Sequence, residues 1–157
     1  MGTVWIARDQ HLDIEVAVKL LRIETTCADS ARRLRQEARA TARLVHPSVV
    51  RIFDFGETEW GDPFIVMELL RGELLSAMID RRHKLPPTQA VALLLPIISA
   101  LMSAHGRGVV HRDLKPENIL LCATEIGILV PKVLDFGIAR FREAGSLRLT
   151  RTNAVMG

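Results

Sequence analysis

The sequence has 157 residues, of which 48% are hydrophobic and 25% are charged, and its formal net charge is +3. These values are typical of a soluble globular protein that buries one hydrophobic core, and they exclude a chain that is disordered throughout. Acidic residues are interspersed among the arginines, so the positive charge predicts a mildly basic surface. No zinc-finger spacing or aromatic RNA-binding motif accompanies it, and we therefore expect no nucleic-acid partner.

Cys27 and Cys122 form neither a Cys-x-x-Cys pair nor a metal-ligand spacing, and two isolated thiols suit a reducing, cytoplasmic environment. No apolar run precedes the first lysine, Lys19, so no signal peptide is predicted. The segment Leu85–His105 contains no Lys, Arg, Asp or Glu, but three prolines interrupt it. Its continuous apolar part is short, which favours a buried core helix over a membrane segment.

The first elements in chain order are two short apolar runs, Thr3–Ala7 and Ile14–Leu21, which predict a hairpin of two strands. Asp29 can cap a helix that runs to about Val45, where His46 and Pro47 end it. Apolar residues recur at helical spacing along that segment, and Glu37 lies at the flank of the apolar stripe.

Strands come next in the chain, and helices follow them. Two further strands are predicted at Val49–Phe53 and Phe64–Met67, and two helices at Glu73–Arg82 and Thr88–His105. Pro96 is expected to bend the second helix or to interrupt its hydrogen bonding. The later short apolar pieces are Val109-Val110, Ile119–Cys122 and Lys132–Leu134. This order predicts an α+β fold, with a small sheet-rich lobe followed by a helical one.

Three motifs occur in a fixed order on these elements: Val16–Lys19, His111–Asn118 and Asp135–Gly137. The second reads His-Arg-Asp-Leu-Lys-Pro-Glu-Asn and the third Asp-Phe-Gly. Together they resemble the lysine strand, the catalytic loop and the DFG motif of bacterial-type serine/threonine protein kinases. The resemblance covers essentially the whole chain and implies the small antiparallel-sheet lobe of a kinase plus the beginning of its helical lobe.

The resemblance assigns roles to polar residues, because phosphoryl transfer requires positioned groups and neutralised charge. It implies that Lys19 holds the α- and β-phosphates of ATP, with Glu37 as its carboxylate partner. It also implies that Asp113 accepts or orients the proton of the substrate hydroxyl. Lys115 resembles the lysine that steadies the transferred phosphate in serine/threonine kinases, so the implied partner is a protein with serine or threonine hydroxyls.

The same resemblance implies the cofactors ATP and Mg²⁺. Asn118 and Asp135 would hold Mg²⁺, a hard cation that prefers oxygen ligands. Met67 would lie at the back of the adenine pocket, and Glu68 and Leu70 would offer backbone groups to the base. The apolar residues expected around the ring are Val4, Ala17 and Leu120. His111 and Phe136 are expected to pack together in the interior.

Arg112 implies a regulatory feature, because kinases with this arginine often need a phosphate on the loop after the DFG motif. Thr150 and Thr152 are the expected phosphorylation sites. We expect residues 1–70 to form an N-lobe without its first strand, and residues 71–157 the start of a C-lobe that ends in the activation segment. Without further helices the apolar face of Thr88–His105 would be exposed, which favours self-association.

Two other functions are compatible with parts of this pattern. A catalytically inactive remnant, or a nucleotide-binding module that regulates a complete kinase, would bind ATP without transferring phosphate. A small-molecule phosphotransferase would share the His-x-Asp loop, but rarely the full octet together with a DFG motif. A P-loop NTPase is excluded, because the sequence contains no Gly-x-x-x-x-Gly-Lys-Ser/Thr motif.

Overall fold

A four-stranded antiparallel sheet forms the first part of the protein. The computed structural model describes residues 4–10, 12–21, 41–124 and 126–136. In chain order, the strands of the first sheet are β1 (Val4–Asp9), β2 (Ile14–Leu20), β3 (Ile52–Glu57) and β4 (Pro63–Glu68). In space their order is β1-β2-β4-β3. The predicted hairpin is confirmed: β1 and β2 pair in register from Val4 opposite Lys19 to Asp9 opposite Ile14.

A second, three-stranded antiparallel sheet follows, and residues 69–72, here called the linker, connect it to the first. Its strands are β5 (Glu73–Leu74), β6 (Ile119–Ala123) and β7 (Leu129–Val133). Helices α1 (Leu75–Arg82) and α2 (Pro87–His105) lie between β5 and β6 in sequence. A short 3₁₀ turn at Pro116–Asn118 leads into β6.

Several predicted boundaries are wrong. The predicted strand Val49–Phe53 is displaced, because Val49 forms a parallel bridge with Val133 and the sheet begins only at Ile52. The helix predicted from Glu73 begins at Leu75, because the two preceding residues pair with β6 instead. Of the short apolar piece Lys132–Leu134, the first two residues belong to β7, which begins at Leu129, and Leu134 lies beyond its end.

Two further predictions have partial outcomes. Of the short apolar pieces, Val109-Val110 lies outside the strands, whereas Ile119–Cys122 lies within β6. The helix predicted from Asp29 lies largely outside the described residues. Thr41 and Ala42 are helical and a turn follows at Arg43, so the helix ends before the predicted Val45.

Backbone hydrogen bonds hold the two sheets together. The N–H of Val50 donates to the Val133 carbonyl at 3.0 Å, and the N–H of Val133 donates to the Ser48 carbonyl at 2.8 Å. The main core lies around this contact and combines α1, α2, β6 and β7. Its fully buried side chains include Met78, Ile97, Leu121, Val133 and Phe136. A smaller buried cluster, on the first sheet, consists of Leu21, Ile52 and Ile65.

Helix α2 has two apolar stripes, and only one of them is buried. Leu93, Ile97, Ala100 and Ala104 face the core. The other stripe is exposed and consists of Val91, Leu94, Leu95, Ile98 and Met102. The expectation of a buried helix therefore holds for one face, and the predicted exposure of the other is confirmed. The length and composition of this helix would be sufficient for it to cross a membrane. Core helices of soluble proteins meet the same two criteria.

Adjacent isoleucines on α2 test this division. Ile97 is 2% exposed and Ile98 is 49% exposed. We expect Ile97→Ala to lower the free energy of unfolding by about 3 kcal/mol, because it removes buried methyl groups and leaves a cavity. The matched variant Ile98→Ala is expected to cost less than about 1 kcal/mol. Urea denaturation followed by circular dichroism measures both, and equal losses would contradict the assignment of the buried face.

Candidate active site

Lys19 connects the first sheet to the segment that follows the second. Its side chain is 13% exposed, and Nζ donates to Oδ1 of Asp135, two residues beyond β7. An ion pair that is largely removed from water is stronger than one on the surface, because the effective dielectric constant is lower. The pair with Asp135 was not predicted. The predicted partner Glu37 lies outside the described residues and stays a prediction.

His111 ties the loop before β6 to the segment after β7. Nε2 donates to the Leu134 carbonyl at 2.8 Å, and Nδ1 accepts from the N–H of Asp113 at 3.3 Å. The imidazole packs edge-on against the ring of Phe136, with centroids 4.8 Å apart. Both side chains are buried, so the predicted packing of His111 with Phe136 is confirmed.

The hydrogen bonds of His111 favour its neutral form. Nδ1 accepts a hydrogen bond, and protonation there would replace the acceptor with a second donor facing an N–H. Burial lowers the pKa of His111 below its ordinary value, although the Leu134 carbonyl and the carboxylates of Asp135 and Asp113 act in the opposite direction. The imidazole is therefore a structural element and is not suited to carry a proton in the reaction.

Asp113, Lys115 and Asn118 converge on one point. Nζ of Lys115 lies 2.9 Å from Oδ2 of Asp113, and these side chains are 42% and 34% exposed. Nδ2 of Asn118 donates to the Asp113 carbonyl at 2.6 Å and lies 3.3 Å from Oδ2 of the same residue. The carboxylate of Asp113 is thus held by neighbours, yet it keeps access to solvent.

Asn118 and Asp135 lie at the same end of the β6–β7 hairpin, because the N–H of Leu134 donates to the Asn118 carbonyl at 2.9 Å. Asn118 is 8% exposed and its amide nitrogen is turned toward Asp113. Among the described residues, no hydrogen bond uses its Oδ1. Asp135 engages Lys19 through one carboxylate oxygen.

These two residues fit a magnesium ion that is shared with phosphates. Mg²⁺ is usually held by one or two protein oxygens, and phosphates and water complete its coordination. The part of the chain that the structure describes contains no group of three or more His, Cys, Asp or Glu that could bind a metal alone. Asn118 and Asp135 both offer oxygen atoms, the donors that Mg²⁺ prefers.

The backbone is strained at two positions of this site. Arg112 has φ 66° and Asp135 has φ 57°. Both values lie in the left-handed region, which residues other than glycine seldom adopt. Each strained residue is next to a buried ring, since His111 precedes Arg112 and Phe136 follows Asp135. Strain of this kind persists only where the surrounding structure enforces it.

Three of the residues predicted around the adenine ring share one face of the first sheet with Lys19. Val4 lies opposite Lys19, and Ala17 lies opposite Met67. Because side chains alternate along a strand and cross-strand partners share a face, all four point to the same side. Leu120 lies on β6 of the second sheet and is half-buried. Leu70 belongs to the linker between the sheets.

Gly72 allows the linker to lie against β6. A Cβ at this position would lie 2.2 Å from the carbonyl oxygen of Leu121 and 2.8 Å from its carbonyl carbon. Since both atoms are backbone, no side-chain movement can relieve the contact, and only glycine fits. The close approach keeps the predicted adenine-binding residue Leu70 near the second sheet.

Sequence reasoning missed one contact beside this site. Glu68 was predicted to act through its backbone, but its carboxylate also bonds to Nζ of Lys132 at 2.7 Å. The available signal was that Lys132 is the only charged residue in the apolar run 126–134. A single lysine within an apolar strand indicates a buried acidic partner.

The whole chain is similar to known proteins. A family model described as "Protein kinase domain" matches residues 1–156. The chain is 42% identical over 166 residues to serine/threonine-protein kinase PknB of Mycobacterium leprae and 40% identical over 161 residues to serine/threonine-protein kinase pkn3 of Myxococcus xanthus. All of this chain is covered in both matches, together with 25% and 29% of those proteins. It thus spans less than a third of the length of either relative.

A solved structure has the same fold. The kinase domain of Mycobacterium tuberculosis PknI superposes with a TM-score of 0.75 and 30% sequence identity, over 88% of this chain and 55% of that one. The predicted α+β fold, a partial kinase domain with an antiparallel sheet first, is therefore confirmed.

The neutral His111 predicts how stability depends on pH. Because burial lowers its pKa in the folded state, the unfolded chain binds the proton more readily. The contribution of the neutral imidazole is complete above the unfolded pKa of about 6.5 and is lost as the pH falls through that value toward the folded pKa. Urea denaturation at pH 7.5 and 5.5 is expected to show a lower unfolding free energy at pH 5.5.

A variant of His111 tests whether this residue causes the difference in unfolding free energy between pH 7.5 and 5.5. His111→Phe is expected to reduce the difference between the two pH values, while the control His105→Asn, at an exposed position, keeps it. A difference that is unchanged in His111→Phe would show that other groups cause it.

Proposed function

Because this chain belongs to the protein kinase family, within its bacterial-type serine/threonine branch, we propose that it binds Mg-ATP between its two sheets and transfers the γ-phosphate to serine or threonine hydroxyls of proteins. The single observation that carries the proposal is the Lys19–Asp135 ion pair. The pair joins the ammonium that we propose for phosphate binding to a carboxylate that we propose for Mg²⁺, and this proximity supports a single nucleotide site.

The first proposed roles concern binding of the nucleotide. The ammonium of Lys19 binds the α- and β-phosphates, and the oxygens of Asn118 and Asp135 would hold Mg²⁺. When bound, the ion neutralises charge that develops on the transferred group. The face formed by Val4, Ala17 and Met67, with Leu120 opposite, receives the base. Backbone groups of Glu68 and Leu70 meet its polar edge.

Transfer then depends on Asp113 and Lys115. The carboxylate of Asp113 accepts the proton of the substrate hydroxyl as the oxygen–phosphorus bond forms and the bond to the β-phosphate oxygen breaks, which releases ADP. Asn118 restrains Asp113 through two contacts. Lys115 is already within 2.9 Å of that carboxylate, a position from which its ammonium can also reach the transferred phosphate.

Other parts of the proposal concern residues outside the described ranges. Phosphorylation of Thr150 or Thr152, and an ion pair between Glu37 and Lys19, are proposed from the family resemblance alone. The division into an N-lobe (1–70) and the start of a C-lobe (71–157) is also a proposal, as is a cytoplasmic location. Relatives named serine/threonine-protein kinases support protein hydroxyls as the acceptor class.

Variants of the nucleotide site test the function. We expect a fluorescent ATP analogue to bind saturably in the presence of Mg²⁺, and both Lys19→Met and Asp135→Asn to weaken this binding by at least roughly tenfold. Asp113→Asn is expected to keep binding and to lower phosphate transfer to a basic protein substrate by roughly 10²- to 10³-fold. The exposed variants Lys84→Met and Asp80→Asn serve as matched controls.

The outcomes separate the proposal from its alternatives. Binding with transfer that depends on Asp113 supports a kinase. Binding without any transfer by the unmodified chain would identify a nucleotide-binding module. A folded chain that does not bind Mg-ATP would overturn the proposal.

We also propose that the exposed stripe of α2 mediates self-association. Five large apolar side chains on one helix face form a continuous patch, and burial of such a patch releases roughly 25 cal/mol per Å² of apolar surface. Leu95 is 61% exposed at the centre of the patch. Leu95→Glu is expected to lower the apparent mass in light scattering, whereas the polar-face control Arg82→Glu on α1 is not. An unchanged mass in Leu95→Glu would rule this surface out.

A further inference from the structure

The acidic end of β4 is joined to the second sheet by a side-chain contact. Glu68 is the last residue of β4, and Lys132 lies on β7. Nζ of Lys132 is 2.7 Å from Oε1 of Glu68, and the two side chains are only 17% and 24% exposed. The ion pair between Arg8 and Asp13 is far more exposed, since these two side chains are 66% and 78% exposed. The less exposed pair is screened less by solvent and salt.

Glu68 is held at two further points. Its N–H donates to the Arg51 carbonyl at 2.9 Å, and its Oε1 accepts from the N–H of Arg51 at 2.8 Å. Arg51 directly follows Val50, whose N–H donates to the Val133 carbonyl. The bonds through Val50, Arg51, Glu68 and Lys132 therefore form a closed ring between the two sheets. Removal of the Lys132 side chain would open that ring at the contact between the Lys132 and Glu68 side chains.

Lys132 also lies beside the expected floor of the base site. It pairs across the sheet with Leu120, so the two side chains share one face of the hairpin. Cys122, two residues further along β6, faces the same side; burial raises the pKa of its thiol, while the Lys132 ammonium lowers it. The ammonium is thus close to a partly desolvated surface that continues from Leu120.

We propose that Lys132 is a positioning residue for nucleotide recognition: its ion pair with Glu68 fixes the start of the linker against the second sheet, and with it the backbone groups that read the base. The inference rests on the proposed function, since it deepens the role of Glu68 and Leu70 in that site. Lys132 acts through Glu68. Loss of the ammonium would let the carboxylate turn toward water and displace the backbone that follows it.

The test compares ATP with GTP, because the polar edges of the two bases differ while their phosphates are the same. Displacement of a fluorescent nucleotide gives the Kd of each in the full chain with Mg²⁺. We expect Lys132→Met to weaken ATP binding roughly tenfold and GTP binding much less, so that the preference for ATP falls. Lys132→Arg, which keeps the charge, is expected to retain the preference within about twofold. Lys84→Met, which removes an exposed lysine between α1 and α2 by the same substitution, is the matched control.

A double-variant cycle tests whether the pair acts as a unit. Glu68→Gln is expected to lower the preference as Lys132→Met does, and the double variant to be no worse than either single one. A preference for ATP that is unchanged in Lys132→Met, or equal weakening of both nucleotides, would overturn the inference while leaving the proposed function intact. If the folded unmodified chain fails to bind ATP, the proposed function fails, and the inference fails with it.

Discussion

A few backbone hydrogen bonds between Ser48–Val50 and Val133 determine where the two sheets of this protein lie relative to each other. Every group of the proposed active site belongs to one side of this contact or the other. Lys19 and the apolar face around Ala17 belong to the first sheet, whereas Asp113 belongs to the loop before β6 of the second. Backbone pairing is well suited to this task, because its geometry is fixed by covalent structure and is insensitive to salt.

The site is organised around charges that neutralise one another locally. Lys19 pairs with Asp135, Lys115 with Asp113 and Lys132 with Glu68, and each pair joins groups that a phosphate or a base would approach. Such pairing lowers the cost of keeping ionised groups partly away from water. It also places acids and bases within a short distance, so that under the proposed function a nucleotide would replace one partner without a large rearrangement.

Local patterns allowed the prediction of most of the architecture but of few tertiary contacts. The β1–β2 hairpin and α2 were predictable, because alternating residues and a long apolar run are properties of the segment itself. The start of β3 was not, because Val49 and Val50 have the composition of a strand but pair with Val133 instead. The two-residue strand β5 also depends on its neighbour, since Glu73 and Leu74 have no strand pattern without β6.

The same distinction applies to the site. The family resemblance carried by the three motifs predicted one site for Lys19, Asp113, Asn118 and Asp135. The structure joins Lys19 to Asp135 and Asn118 to Asp113. The pairing of Lys19 with Asp135 and of Glu68 with Lys132 joins residues far apart in sequence, and no local pattern specifies such partners. The exposure of one α2 stripe was predicted from the family resemblance, since the amino-acid pattern alone indicates burial on all sides.

The two strained residues, Arg112 and Asp135, connect the hydrophobic core to the chemistry. Each is adjacent in sequence to a buried ring, and the two rings, His111 and Phe136, pack against each other. A substitution that loosens this packing would let the backbone relax locally at a smaller free-energy cost than complete unfolding. As substitutions accumulate during evolution, a chain of this kind is expected to lose its catalytic geometry before it loses its fold.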